Sequence, residues 1–117
     1  MPIVQRKRVP ALKEAGGVLR RFLATAELGT ASLTVVEVVL PLGGRLPLHV
    51  HPGHEECVVV LGGPIEATLG EETATVGRGA AVIVPPGVPH ALRNVASRPA
   101  RVLGIFPTTQ VQRQLLE

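Results

Sequence analysis

The sequence predicts an all-β protein made of many short strands. Thirteen glycines and eleven prolines in 117 residues are too many for a helical bundle, and they separate short runs rich in β-branched residues. Hydrophobic residues make up 45% of the chain and charged residues 18%, which is the composition of a folded globular protein. Because no repeat or linker divides the chain, we expect residues 1–117 to form one domain.

Turn residues divide the chain into nine predicted strands. They span residues 18–24, 31–40, 46–51, 56–61, 65–69, 73–76, 80–84, 89–95 and 101–106. Short strands at this spacing are typical of an all-β sandwich or barrel. In the first strand, Val18, Arg20 and Phe22 point to one side. Short helical turns are expected within residues 11–15 and 108–116.

The fourth predicted strand is apolar on both faces. Val58 and Val60 share one face, and Cys57, Val59 and Leu61 share the other. Since a half-exposed antiparallel strand should alternate with polar residues, we expect another sheet or a second subunit to cover the second face. This pattern predicts a homodimer, with a locally apolar surface as the alternative. The thiol of Cys57 is expected in the core.

Composition excludes several classes of function. The net charge is only +3 and the two aromatic residues are Phe22 and Phe106, whereas nucleic-acid binding requires a basic stripe with interleaved aromatics. The cluster at residues 6–8 is therefore expected to be a solvated tail. Apolar stretches are too short for a membrane helix of roughly 18 residues, and a single cysteine excludes an internal disulfide. We expect a soluble, cytoplasmic protein that binds neither nucleic acid nor membrane.

Potential metal ligands are concentrated around one turn and one later strand. They are His49, His51, His54, Glu55, Glu56 and His90. His49 and His51 are two residues apart in an extended segment, so their side chains leave the same face about 6.6 Å apart. The turn at residues 52–53 then brings a glutamate back beside them, and a proline-rich turn presents His90.

Three neutral imidazoles and one carboxylate suit one divalent transition metal ion, namely Fe, Mn, Ni, Cu or Zn. The imidazoles must be neutral to bind, so binding should weaken as the pH falls below the range in which histidine titrates.

The spacing of the whole set resembles a known family. In the first stretch, five residues separate Gly43 from His49-Val50-His51, four more precede Glu56, and six precede Gly63. In the second, five residues separate Gly79 from Pro85-Pro86-Gly87, two precede His90 and three precede Asn94. Residues 43–63 and 79–94 resemble the two motifs of the cupin superfamily, a small β-barrel of jelly-roll topology.

The resemblance implies that one metal ion is bound inside the barrel by His49, His51, Glu56 and His90. Glu56 is preferred to Glu55 because residues 60–63 resemble the family's usual strand end, although Glu55 remains an alternative. His54 has no ligand position in the family pattern and is interpreted as a solvated turn residue. Asn94 is likewise interpreted as a turn residue.

Four protein ligands would leave positions free on an ion that accepts five or six, which is typical of a catalytic site. We expect a metal-dependent enzyme, a dioxygenase of a small organic molecule, and the resemblance also includes isomerases and decarboxylases. The alternatives are a non-enzymatic module that binds a small ligand or metal, such as a sensor, and a metal that only stabilises the fold. No catalytic acid or base is identified, since Glu37 and Arg45 qualify only if they face inward.

Overall fold

The computed structural model describes residues 2–117 and confirms the all-β fold. Its strands are β1 (Leu12–Lys13), β2 (Leu19–Ala24), β3 (Thr34–Leu40), β4 (Arg45–Val50), β5 (Glu56–Gly62), β6 (Ile65–Leu69), β7 (Glu72–Val76), β8 (Ala81–Val84), β9 (His90–Asn94), β10 (Ala100–Phe106) and β11 (Gln114–Leu115). Two short 3-10 turns lie at Arg6–Arg8 and Ala15–Gly17. No helix within residues 2–117 is long and apolar enough to cross a membrane.

The strands form two antiparallel sheets that pack face to face as a jelly roll. The six-stranded sheet has the order β1-β2-β3-β10-β5-β8, and the five-stranded sheet has the order β11-β4-β9-β6-β7. Buried aliphatic side chains from both sheets fill the space between them, including Val38, Leu40, Val60, Ile65 and Val102. Burial of these side chains supplies the main stabilisation of the barrel.

All nine predicted strands are present, and the two expected helical turns are not. Within residues 11–15 the chain forms β1, and the glycine pair at residues 16–17, with φ values of 75° and 80°, turns it into β2. Within residues 108–116 it forms β11, which pairs with β4 through Gln114↔Val50 and Leu115↔His49. The C-terminal segment is extended because the edge of β4 offers unpaired backbone groups.

Strand β5 has the two faces that its sequence predicts. Val58 and Val60 are buried between the sheets, whereas Cys57, Val59 and Leu61 are half-buried on the outer face of the six-stranded sheet. The expectation of a core thiol is therefore wrong for Cys57. It fails because the alternation of β5 gives the core side to its even-numbered neighbours.

The outer face of the six-stranded sheet also carries a buried carboxylate. Glu37 is 2% exposed, and Arg6 Nε lies 2.9 Å from its Oε1 and 2.7 Å from its Oε2. Arg21 lies 3.5 Å from Oε1 and Arg101 lies 3.7 Å from Oε2. Residues 6–8 are exposed, as expected of a solvated segment, but Arg6 ties this segment to the sheet through Glu37.

Candidate metal centre

The structure brings the four predicted ligands together at one end of the barrel. His49 in β4 lies directly opposite His90 in β9, and His51 is the first residue after β4. Glu56 begins β5 and approaches from the six-stranded sheet. One donor atom from each residue lies within 4.8 Å of all the others, a grouping that could hold one metal ion.

The tautomer of each histidine follows from its backbone partner. The Nδ1 atoms of His49, His51 and His90 lie 2.7, 2.6 and 3.0 Å from the carbonyl oxygens of residues 47, 112 and 88. A carbonyl oxygen only accepts hydrogen bonds, so each Nδ1 must donate its proton. In the neutral ring, Nε2 then presents a lone pair to the interior, which is the arrangement that orients metal-binding histidines.

The lone pairs of the site face one another. His51 Nε2 lies 3.2 Å and His90 Nε2 lies 3.1 Å from Glu56 Oε1, and His51 Nε2 is buried without a well-directed hydrogen bond. When the rings are neutral, three acceptor atoms therefore meet with no proton between them, which costs free energy in a buried site. A cation at this point removes that cost, so the donor set fits a metal ion.

The ionisation of Glu56 and His49 favours the same interpretation. Burial raises the pKa of Glu56, but the hydrogen bonds and positive charge that His51 and His90 supply when protonated outweigh burial and lower the pKa to about 2. Burial lowers the pKa of His49 to about 4. At neutral pH the site therefore holds an ionised carboxylate and a neutral His49 ring, which are the states that metal binding requires.

Glycine makes room for the carboxylate. Gly104 in β10 lies across from Val58, and a Cβ atom added to it would lie 2.7 Å from Glu56 Oε2. Any larger residue at position 104 would therefore displace the Glu56 side chain. Glu55, the alternative ligand, is exposed and lies outside the cluster, so the structure brings Glu56, and not Glu55, to the three histidines.

His54 was expected to be solvated, and the structure corrects this. It is 9% exposed, and its Nε2 accepts a hydrogen bond of 2.9 Å from the backbone N–H of Gln112. The carbonyl of the same residue accepts the proton of His51 Nδ1. His54 therefore holds the C-terminal segment that orients His51, a role no motif spacing reveals because its partner is 58 residues away.

Asn94 closes a corner at the other end of β9. Its Nδ2 donates to the carbonyl oxygens of Leu40, Pro41 and Arg98, and its Oδ1 accepts from the N–H of Ala96. As expected, it fixes a turn and is not part of the ligand cluster. Such a satisfied buried side chain stabilises the join between the two sheets.

A cavity adjoins the four ligands and contains two arginines that the motifs did not indicate. Its walls are apolar, formed mainly by Val36, Val38, Leu46, Val58, Leu92 and Val102, and Arg20 and Arg113 also line it. The sequence signal that could have identified Arg20 as a cavity residue is its position between Val18 and Phe22 on one side of the strand. Neither Glu37 nor Arg45 lines this cavity, so both are excluded as acid or base there.

Comparisons with known proteins agree with this architecture. The sequence profile of the family described as "Cupin domain" matches residues 36–106. The polyketide synthase CurC of Streptomyces cyaneus is 30% identical over 101 residues, which cover 86% of this chain and 66% of that protein. The quercetin 2,3-dioxygenase of Bacillus subtilis is 36% identical over 73 residues, covering 60% of this chain and 22% of that protein.

Among solved structures, the polyketide cyclase RemF from Streptomyces resistomycificus superimposes with a TM-score of 0.81 at 27% sequence identity. The superposition covers 100% of this chain and 87% of that one. The family profile matches more than half of the sequence, and the four clustered residues come from the two segments that resemble the cupin motifs. This chain therefore belongs to the cupin family.

Proposed function

We propose that the protein is a metal-dependent enzyme, a dioxygenase that acts on a small organic molecule in the barrel. The observation that carries the proposal is the convergence of three imidazole lone pairs and one carboxylate beside a mainly apolar cavity. An ion of Fe, Mn, Ni, Cu or Zn held by His49, His51, Glu56 and His90 would supply Lewis acidity and, if redox-active, the means to activate O₂.

The residues around the ligands set the properties of the substrate. The cavity leaves about 30 Å³ for the centres of water-sized molecules, so it can hold a few waters or one small ligand. The aliphatic walls exclude further water and receive the apolar part of the substrate. The similarity to quercetin 2,3-dioxygenase supports oxygenase chemistry.

Oxygen consumption tests the proposal. Protein reconstituted separately with Fe(II), Mn, Ni, Cu or Zn is mixed with small diketones or thiols, and O₂ uptake is followed with an oxygen electrode. We expect uptake in the wild type and in Glu55→Gln, whose altered residue is exposed, but not in His49→Ala. Absence of uptake with each of the five metals would argue against an oxygenase.

Ring closure of a keto compound is the second candidate. The likeness to the polyketide cyclase RemF spans the whole of this chain, and CurC is named as a polyketide synthase. Cyclisation at the same site would depend on metal but consume no O₂. Product formation under argon would favour it, and ligand-induced melting shifts without turnover would favour a binding or sensor module.

We also propose that a second copy of the chain covers the outer face of the six-stranded sheet. Cys57, Val59 and Leu61 are half-buried there, and Ile83 on the edge strand β8 is 55% exposed. An apolar face continuous with a free strand edge is a surface for self-association. Light scattering should give the mass of a dimer for the wild type and for Ile83→Val, and a lower mass for Ile83→Glu. A monomer mass for the wild type at all concentrations would contradict the proposal.

A further inference from the structure

The guanidinium of Arg20 occupies an unusual position for a charged group. Arg20 in β2 lies opposite Val38 in β3 and points between the sheets, and its side chain is only 13% exposed. Arginine keeps its charge at every relevant pH, and burying an unpaired charge is costly. A guanidinium on an apolar wall therefore needs a negative partner.

The partner present in the chain is incomplete. Arg20 Nε lies 2.6 Å from Glu14 Oε1, yet this nitrogen is buried without a well-directed hydrogen bond. Glu14 belongs to the turn before β2, and its side chain is 36% exposed. No hydrogen bond within residues 2–117 uses the two terminal nitrogens of Arg20, so its planar fork remains available to a ligand.

We propose that the cavity binds its substrate as a small carboxylate whose charge is held by Arg20. Arg113 lines the same cavity from the C-terminal segment and adds a second positive charge. A carboxylate matches the fork of a guanidinium through two parallel hydrogen bonds. The cavity is small, which favours a short carboxylate of a few non-hydrogen atoms.

The sum of the charges at the cavity also favours an anionic ligand once a divalent ion is bound. Glu56, Arg20 and Arg113 line this cavity, and Glu14, which does not line it, pairs with Arg20. These four charges cancel, so a divalent ion adds two uncompensated positive charges. Apolar walls strengthen their effect because the local dielectric is low. This step of the inference rests on the proposed function, whereas the contact with Arg20 does not require the ion.

Binding of pyruvate tests the inference, with pyruvamide as its neutral counterpart of equal size. Isothermal titration calorimetry is performed on the full chain, with and without bound metal. We expect pyruvate to bind and pyruvamide to bind at least about tenfold more weakly, the factor that follows from losing a hydrogen bond to a charged group. Equal binding of the two, or no binding of pyruvate, would overturn the inference.

Three variants assign the effect to Arg20. Arg20→Met should weaken pyruvate binding about tenfold or more, whereas Arg98→Met, which removes an exposed arginine, should leave it unchanged. Glu14→Gln should tighten binding severalfold because it removes the carboxylate that competes for the same guanidinium. If Arg20→Met fails to fold, Glu14→Gln still tests the role of Arg20. Glu14 is partly exposed, so we expect this variant to fold. Unchanged binding in Glu14→Gln and Arg20→Met would show that Arg20 is only structural.

Elemental analysis of the same samples separates the two proposals. Binding of pyruvate through Arg20 in protein that takes up no metal would leave this inference standing and remove the proposed function. Full metal occupancy without preference for pyruvate over pyruvamide would leave the proposed function standing and remove the carboxylate inference.

Discussion

Two buried glutamates lie on opposite faces of the same sheet and have different partners. Glu56 in β5 faces the interior and is 8% exposed, and Glu37 in β3 faces outward and is 2% exposed. Glu37 is surrounded by Arg6, Arg21 and Arg101, whereas Glu56 is surrounded by histidines. The first site carries its own permanent cations, and the second does not.

This difference separates a structural ion pair from a binding site. Burial raises the pKa of Glu37, but the hydrogen bond and charge of Arg6, with the charges of Arg101 and Arg21, lower it overall. Because guanidinium groups stay protonated, Glu37 is neutralised within the chain. Imidazoles, unlike guanidinium groups, are not permanent cations, and they can instead offer lone pairs to an ion bound beside Glu56.

The largest expected effect of a mutation is on metal content. Glu56→Gln removes the anionic ligand and should lower metal affinity tenfold or more, the scale seen when even a supporting residue is lost. Its amide can donate to the unprotonated Nε2 of His51 or His90, so the metal-free protein should not lose stability. Elemental analysis and thermal melting measure the two effects.

The matched control for this prediction is Glu55→Gln. Glu55 precedes Glu56 and is exposed, so the variant changes the net charge equally and should keep its metal. His49→Ala and His90→Ala should lose metal as Glu56→Gln does. Stoichiometric metal in any of these three ligand variants would show that the assigned donors are not the ones that bind.

A smaller effect is expected at His54, which acts through another residue. His54→Ala removes the acceptor of the Gln112 N–H, frees the C-terminal segment and deprives His51 Nδ1 of its fixed carbonyl. Metal affinity should fall a few-fold, less than the roughly tenfold or greater loss at a direct partner. Hydrogen exchange of the Gln112 amide should accelerate in parallel.

His54→Gln distinguishes positioning from packing. The side-chain oxygen of glutamine can accept the same hydrogen bond, so this variant should restore both slow exchange and metal affinity. Rapid exchange of the Gln112 amide together with unchanged metal affinity in His54→Ala would show that the segment does not orient His51.

The sequence predicted the parts of the molecule that depend on local pattern. Alternation and turn residues located nine strands, and the spacing of His49, His51, Glu56 and His90 identified residues that the fold brings together. The burial of His54 and the extended C-terminal segment depend on a contact across 58 residues, which no local pattern records. Arg20 was placed on the correct side of its strand, but its role becomes visible only with the cavity.

The smallest effect of a mutation is expected at Glu37. Its dependence on pH tests the difference between Glu37 and Glu56. Glu37→Gln should destabilise the protein by about 1 kcal/mol at neutral pH, because Arg6 and Arg101 are partly exposed and solvent screens them. A carboxyl whose pKa is lowered by folding contributes its full stability above the unfolded pKa of about 4.3 and loses it as the pH falls through the folded pKa.

The difference in unfolding free energy between wild type and Glu37→Gln should therefore be constant over about pH 6–8 and shrink in acid. Urea denaturation at several pH values measures it, with the exposed Glu71→Gln as the control that should show no difference. High salt should reduce the difference, since it screens the outer arginines. A difference that persisted in strong acid would mean that Glu37 acts through packing and not through its charge, and the contrast with Glu56 would then fail.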